Sequence, residues 1–315
     1  MKGAISYALF GYDKERQANC FDFNSYLRGM HICLRFNRIL FPGWQMVVNI
    51  DSSTYESPYK PIFEWHAKKG FIKFNICPDN EKLCKAMLWR LRTVFEMNGP
   101  GWTYTHVICR DLDSIATYRE AQAVAEWVKE DKALHCITDS ISHTIPMLGG
   151  MIGFRPGYVN DVMKITDDPG KAWFHLMELS GGIDFSRKGS DQDFLNSVMY
   201  PKLCTHATEH FVKGRQHDLV EGNGRHYSIK DSWPEFIVDN RGNLPSPFNV
   251  NISEWEDRLR ETNLLAGHIG AAGFYEAPTM KFLYYDDPFK AEYEELETMK
   301  GFEQIFYWTT REDLR

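Results

Sequence analysis

Two carboxylates lie close together in the stretch Arg110-Asp111-Leu112-Asp113-Ser114. They directly follow an apolar run, 105–109, that has the length and composition of a buried strand. Ligands of open α/β sheets bind beyond the carboxyl ends of the strands, and aspartate oxygens are the ligands that Mg²⁺ and Mn²⁺ prefer. The pair therefore predicts a divalent-cation site. The alternative is a solvated turn in which Asp113 or Ser114 caps the next helix.

Two other patterns could carry chemistry. His206, Glu209 and His210 match the HxxEH pattern of inverted zinc proteases, which would bind Zn²⁺ if the segment were helical. The segment is short and follows Pro201 closely, so we treat zinc hydrolysis as a minor alternative. The glycine-rich stretch 149–153 lacks GxGxxG spacing, which argues against a dinucleotide-binding dehydrogenase.

The periodicity of apolar residues predicts the elements that position these side chains. Strands are predicted at 4–10, 44–50, 71–76, 105–109 and 134–138, and helices at 24–41, 59–69, 81–97 and 120–130. This alternation predicts an α/β fold with a mostly parallel, doubly wound sheet flanked by helices. The regularity fades after Pro156, and residues 214–250 have the composition of long loops, so the C-terminal part is predicted to be loop-rich.

Charge and cysteine usage limit the classes of partner. The formal net charge of −7 disfavours a nucleic-acid partner, because neutralised phosphates supply most nonspecific affinity. The seven cysteines are scattered, which is typical of reduced thiols. No apolar run reaches the roughly 18 residues of a membrane span, and the N-terminus has no signal-peptide pattern. We therefore expect a cytoplasmic protein, in a bacterium or in the host of a phage.

The region around the paired aspartates resembles the DxD region of GT-A-fold glycosyltransferases. The resemblance covers about residues 85–200, and the matching positions are 110–114, Arg119-Glu120, 123–127, His135, Asp139, His143, 149–155 and 190–195. It implies a GT-A-like, Rossmann-like sheet. Residues 1–140 would bind a nucleotide-sugar donor, and residues 141–315 would form the acceptor side and a C-terminal extension of one continuous catalytic domain.

The resemblance also implies roles for single residues. Asp111 and Asp113 would hold Mn²⁺ or Mg²⁺, with His268 as a third metal ligand, as in glycogenin-like transferases. Asp191 or Asp193 would hydrogen-bond sugar hydroxyls or act as the catalytic base. The donor would be contacted by a larger set: Tyr7, Leu9, Phe10, Gly11, Arg90, Arg110, Asp111, Gly149, Gly150 and Gln192.

The function implied by the resemblance is metal-dependent transfer of a sugar from a nucleotide-sugar, with UDP the expected nucleotide. The acceptor would be a hydroxyl group of a glycan or polysaccharide. Two alternatives remain open. One is a phage hexosyl- or pentosyltransferase that modifies a hydroxymethylated base in DNA. The other is a non-catalytic carbohydrate-binding protein with sugar-stacking tryptophans, for which the candidates are Trp173, Trp233, Trp255 and Trp308.

Overall fold

A computed structural model describes residues 1–12, 23–79, 81–138, 145–211, 225–228 and 287–302. Its strands are β1 (Gly3–Leu9), β2 (Gln45–Asp51), β3 (Ile72–Cys77), β4 (Met97–Asn98), β5 (Gly101–Trp102), β6 (His106–Arg110), β7 (Leu134–Thr138), β8 (Met151–Phe154), β9 (Ala207–Phe211) and β10 (Arg225–Ser228). Eight of them form one sheet in the order β10-β9-β7-β8-β6-β1-β2-β3, and β4 and β5 form a separate hairpin. Only β8 runs antiparallel to its neighbours in this sheet.

Helices cover both faces of the sheet. The α-helices are α1 (Phe23–Leu40), α2 (Ser52–Tyr55), α3 (Lys60–Lys68), α4 (Leu83–Met87), α5 (Tyr118–Glu130), α6 (Pro156–Met163), α7 (Ala172–Glu178), α8 (Ser190–Phe194), α9 (Tyr200–Leu203) and α10 (Glu294–Glu297). Short 3₁₀ helices span Leu88–Phe95, Pro169–Lys171, Cys204–His206 and Lys290–Tyr293, and a π-helical turn at Leu195–Met199 joins α8 to α9. None of the described helices has the length and apolar character of a membrane span.

The alternation of side chains along β1 builds two hydrophobic cores. Ile5, Tyr7 and Leu9 pack with apolar residues of α1, α3 and α5 on one face. Ala4 packs on the other face with Val47 and with residues of the 3₁₀ helix 88–95. Burying a large apolar side chain in this way contributes roughly 1.5–3 kcal/mol. Strands covered on both faces explain why β1, β2 and β6 are nearly continuous apolar runs.

The predicted α/β fold with a mostly parallel sheet is confirmed, and two local predictions are wrong. The helix predicted at 81–97 divides into α4 and a 3₁₀ helix, within which the Arg90 carbonyl also accepts from the Ser6 hydroxyl at 2.7 Å. An α-helix would pair that carbonyl with the amide of Val94. The strand β10 lies within the stretch predicted as loop; the rest of 214–250 is outside the described residues. The sheet also continues past residue 140, because β7 pairs with β8 and β9.

A C-terminal segment, residues 287–302, packs against α1 and α3. Its Asp287 forms an ion pair with Arg35 in which both side chains are buried. The ring of His31 on α1 lies 5.2 Å from the ring of Tyr293 and 5.4 Å from that of Phe302. The ring of His66 on α3 lies 5.5 Å from that of His31. Two buried imidazoles therefore lie at the contact between this segment and the helices.

Candidate functional site

The paired aspartates lie at the carboxyl edge of the sheet, where the order of the strands reverses between β1 and β6. The strand β1 has β2 and β3 on one side and β6 on the other, and all four strands are parallel. A crevice forms at the carboxyl edge between such strands, which is where ligands of open α/β sheets bind. Asp111 directly follows β6, and Gly11 follows β1 by two residues. Because β8 is antiparallel, Gly149 and Gly150 before it lie at the same edge.

Three of the predicted site residues form one cluster, in which two aspartates contact the guanidinium of an arginine. Arg90 forms an ion pair with Asp111 through Nη1, and its Nη2 lies 3.7 Å from Oδ2 of Asp191. The side chains of Arg90 and Asp191 are buried, whereas that of Asp111 is 41% exposed. Asp111 is therefore the member of this cluster that is most open to a ligand.

Side chains from the sheet hold Arg90 in place. Its Nε donates to the carbonyl of Met87 at 2.8 Å, and its own carbonyl accepts from the Ser6 hydroxyl. The side-chain amide of Asn49 donates to Ser6 Oγ at 3.1 Å and to Thr93 Oγ1 at 3.1 Å. These hydrogen bonds are buried, and they hold the 3₁₀ helix 88–95 against β1 and β2. The position of the Arg90 guanidinium is thereby fixed as well.

Asp113 completes a group of three carboxylates. The hydroxyl of Tyr26, on α1, donates to Oδ2 of Asp113 at 3.2 Å. Burial raises the pKa of Asp113 above its ordinary value, and the charge of Asp111 raises it further. Burial also raises the pKa of Asp191, an effect that Arg90 opposes. When all three carboxylates are ionised, Arg90 offsets only one of their negative charges.

This excess of negative charge fits a divalent cation. Asp111 and Asp113 offer only oxygen ligands, which suit Mg²⁺ or Mn²⁺, and such ions often take their remaining ligands from water and phosphates. Within the described ranges, no three or more histidine, cysteine or acidic side chains are placed so that together they could hold a metal ion, so Asp111 and Asp113 would be the protein ligands there. His268, the expected third ligand, lies outside the described residues.

The two glycines before β8 leave room for the ion pair. A Cβ on Gly149 would lie 2.7 Å from Nη2 of Arg90, and a Cβ on Gly150 would overlap the carboxylate of Asp111. The backbone of these residues therefore packs directly on Arg90 and Asp111. The resemblance implied that the glycines admit the sugar or acceptor; in the structure they first of all admit these two protein side chains.

Arg110 does not fit the expected contact with a phosphate or ribose. Its side chain is 2% exposed, and its Nε lies 3.1 Å from Oε1 of the equally buried Glu120. The other nitrogens donate to Gly150 O at 2.9 Å, Ser114 Oγ at 3.1 Å and Ile115 O at 3.4 Å. The guanidinium therefore binds protein groups beneath the site. Glu120 is also recognisable in the sequence, because Thr117 and Glu120 have the spacing of a helix-capping box.

The structure separates the two candidate catalytic aspartates. Both lie in the short helix α8, which is preceded by Gly189 at a φ of +86°. Asp191 is buried and points to Arg90, whereas Asp193 is exposed and pairs with Arg187. Gln192 between them is half-buried. Only Asp191 is therefore brought to the cluster.

The end of β1 presents mostly backbone to the crevice. Tyr7 and Leu9 are fully buried, and the Tyr7 hydroxyl accepts from Asn37 Nδ2 at 2.8 Å, so neither side chain lines an open site. The ring of Phe10 packs edge-on against Trp89 at 5.7 Å. Gly11 adopts a φ of +87°, and its amide donates to Oδ2 of Asp51 at 3.3 Å.

The zinc-protease alternative is wrong. Residues 207–211 form the strand β9 and not a helix, so Glu209 and His210 point to opposite faces of the sheet. Glu209 accepts from the Tyr200 hydroxyl at 2.7 Å, and His210 contacts Glu126 and His135, each at 2.9 Å. His206 contacts the Tyr158 hydroxyl at 3.1 Å. These residues hold the sheet and its helices together.

Tyr26 is a site residue that the sequence does not reveal. It lies among apolar residues of α1, and nothing in its spacing links it to Asp113, 87 positions away. Only the packing of α1 beside β6 shows the contact.

The chain has only a distant similarity to known proteins. No protein-family model matches the chain, and no curated protein matches it. The glycosyltransferase GlyE of Streptococcus pneumoniae TIGR4 in its apo form shares 13% identity over 67% of this chain and 47% of its own, with a TM-score of 0.42. Residues 1–349 of S. aureus TarS share 12% identity over 75% of this chain and 63% of that chain, with a TM-score of 0.39. The same TarS fragment in complex with UDP shares 13% identity over 66% and 57%, with a TM-score of 0.39.

The matched region thus spans less than two thirds of each of these proteins. At identities and TM-scores this low, the likeness carries no argument about the activity of the chain.

Proposed function

We propose that the chain is a glycosyltransferase that binds the diphosphate of a nucleotide-sugar through a divalent cation held by Asp111 and Asp113. The observation that carries this proposal is the pairing of Asp111 and Asp191 with one buried guanidinium at the carboxyl edge between β1 and β6, with Asp113 close enough for the charge of Asp111 to raise its pKa. A divalent cation would offset the negative charge that Arg90 leaves unbalanced, and the diphosphate would bind to that cation. Asp111 is partly exposed, so it can reach such a ligand.

The chemistry at this site is divided among the residues. The bound cation would neutralise charge on the leaving diphosphate, which is worth several kcal/mol in the transition state. Arg90 holds Asp111 in place, and Tyr26 orients Asp113 through its hydroxyl. Asp191 is the residue we favour beside the donor sugar, where it would orient a sugar hydroxyl or accept the proton of the acceptor hydroxyl. Its raised pKa makes it a stronger base at neutral pH.

The finer parts of the proposal concern the substrates. We take UDP as the nucleotide and a glycan hydroxyl as the acceptor. The nucleotide can be tested by calorimetry in the presence of Mn²⁺. Tighter binding of GDP or of a CMP-sugar than of UDP would contradict this choice of nucleotide.

The metal site is tested with Asp113→Asn. The amide oxygen can still accept the hydrogen bond of Tyr26, so the variant is expected to fold and to lose most turnover, because the ligand charge is gone. Thermal melts with Mn²⁺ and UDP in chelator-treated buffer measure binding directly. A ligand at a hundred times its Kd stabilises the folded state by about 2.7 kcal/mol.

The matched control is Asp161→Asn, which removes an exposed carboxylate of α6. We expect the wild type and this control to shift in melting temperature with Mn²⁺ and UDP, and Asp113→Asn not to shift. A full shift and full turnover in Asp113→Asn would mean that the cation is bound elsewhere or not at all.

A further inference from the structure

One buried ion pair lies directly beneath the paired aspartates. Arg110 is the last residue of β6, and Glu120 lies in the first turn of α5. Nε of Arg110 is 3.1 Å from Oε1 of Glu120, and each side chain is 2% exposed. Neither side chain can therefore touch a ligand in the crevice.

The other nitrogens of Arg110 hold the two backbone segments that enclose Asp111. Nη1 donates to Gly150 O at 2.9 Å, in the segment before β8. Nη2 donates to Ser114 Oγ at 3.1 Å and to Ile115 O at 3.4 Å, at the end of the turn that contains both aspartates. A single guanidinium thus connects β6, that turn, the Gly149–Gly150 segment and α5.

The position of Gly150 determines where the Asp111 carboxylate can lie. The two groups are so close that a Cβ on Gly150 would overlap that carboxylate. Any shift of Gly150 would therefore change the space that Asp111 occupies beside Arg90. The amide of Ser114 also donates to the Asp111 carbonyl at 3.4 Å, so the contact of Arg110 with Ser114 supports the turn that presents Asp113.

A purely stabilising role explains this pair less well. Burying two charges costs several kcal/mol per ion, and well-packed apolar residues often stabilise a fold as much or more. What apolar residues cannot supply is a rigid, planar set of donors that reaches several backbone oxygens at once.

We propose that Arg110 and Glu120 are a positioning pair that fixes Asp111 and Asp113 in the geometry needed to bind a divalent cation. Glu120 orients the guanidinium, and the guanidinium holds Gly150 and the aspartate turn. This inference rests on the metal site proposed above. It extends that site to two residues that contact no ligand.

The test measures Mn²⁺ binding alone, by following the EPR signal of free Mn²⁺ in titrations of the full chain. Glu120→Gln keeps the shape of the side chain and removes its charge. Loss of such supporting contacts typically weakens metal affinity by 10–100-fold, and we expect about tenfold here. The matched control is Glu130→Gln, ten residues and roughly 15 Å further along α5, whose amide oxygen can still accept from Thr208. We expect the control to bind Mn²⁺ as the wild type does.

The outcomes separate this inference from the proposed function. Wild-type Mn²⁺ affinity in a folded Glu120→Gln variant would overturn the positioning role and leave the metal site standing. Absence of Mn²⁺ binding in the wild type itself would overturn both. If Glu120→Gln does not fold, Ser114→Ala replaces it, because that change removes a single contact of Arg110. Ser114→Ala is expected to weaken Mn²⁺ binding severalfold, and unchanged affinity would again overturn the positioning role.

Discussion

At the scale of single residues, the site depends on the environment of each carboxylate more than on its position in the sequence. Asp191 and Asp193 are separated by one residue on α8, yet one is buried beside Arg90 and the other is exposed beside Arg187. On a helix, residues two apart point about 200° away from each other, so only one of them can face the crevice.

This difference predicts opposite results for two matched substitutions. Asp191→Asn should lower turnover by about 10²–10⁴-fold if the carboxylate acts as a base, with little change in melting temperature. Asp193→Asn should leave turnover within a few-fold of the wild type, because it removes only a surface ion pair. Turnover and thermal melts of both variants are the measurements. Turnover of Asp191→Asn within a few-fold of the wild type would show that Asp191 is not the base.

A second prediction concerns Gly150, the glycine that packs against the carboxylate of Asp111. Gly150→Ala adds a methyl group where the carboxylate lies, so Asp111 must move and divalent-cation binding should weaken. The control is Gly101→Ala, because Gly101 has open space around its Cβ position and no positive φ. Calorimetric titration with Mn²⁺ compares the two. If Gly150→Ala binds Mn²⁺ as tightly as the control, the close packing has no bearing on the cation.

The sequence predicted part of this site and could not predict the rest. Asp111 stands out because it follows an apolar run that must be a buried strand. Arg90 and Asp191 come close to Asp111 only through tertiary packing. The residues next to each of them in the sequence give no indication of these contacts. Arg110 was misjudged for the same reason, because a basic residue beside two aspartates looks exposed until the position of Glu120 is known.

At the scale of elements, the strands β1, β2 and β6 were predictable because burial on both faces makes them nearly continuous apolar runs. The strand β8 was missed because it is four residues long and contains Gly153, which β-propensity disfavours. The 3₁₀ helix 88–95 was missed because its apolar residues have helical periodicity, and its hydrogen bond from Ser6 comes across the core from a distant strand. The residues around 88–95 do not reveal a hydrogen-bond partner that lies so far away in the sequence.

The contact between α3 and the C-terminal segment gives a pH prediction. His66 is fully buried, neither of its ring nitrogens has a hydrogen-bond partner among the residues that the structure describes, and burial lowers its pKa to about 3. The unfolded chain therefore binds a proton on this residue at a higher pH than the folded protein does. The stability contributed by the neutral, buried ring is full above the ordinary pKa of about 6.5 and is lost as pH falls towards 3, by about 1.4 kcal/mol per unit.

His66→Phe removes this titration and retains a ring of similar size. The free energy of unfolding, measured in urea at pH 7, 6, 5 and 4, should fall less steeply for the variant than for the wild type. His66 also lowers the pKa of the neighbouring His31, so the difference between the two curves reports His66 together with its effect on His31. Parallel curves would mean that folding does not lower the pKa of His66.

At the scale of the whole molecule, one sheet joins the two predicted halves of the chain. The first half contributes β1, β2, β3, β6 and β7, and the second contributes β8, β9 and β10. The crevice also uses both, because Arg90 and Asp111 come from one side of residue 140, and Asp191 and the two glycines from the other.

The insertion of β8 between β6 and β7 has a consequence for how the protein is made. Among the described strands, β7 pairs only with β8 and β9, both of which follow it in the chain. During synthesis β7 therefore leaves the ribosome without a neighbour, while β6 can already join β1 and β2. Translation at about 5–20 residues per second delivers β8 roughly a second or two later. Until then β7 is an unpaired apolar strand, and such an edge can pair with a second copy of the chain.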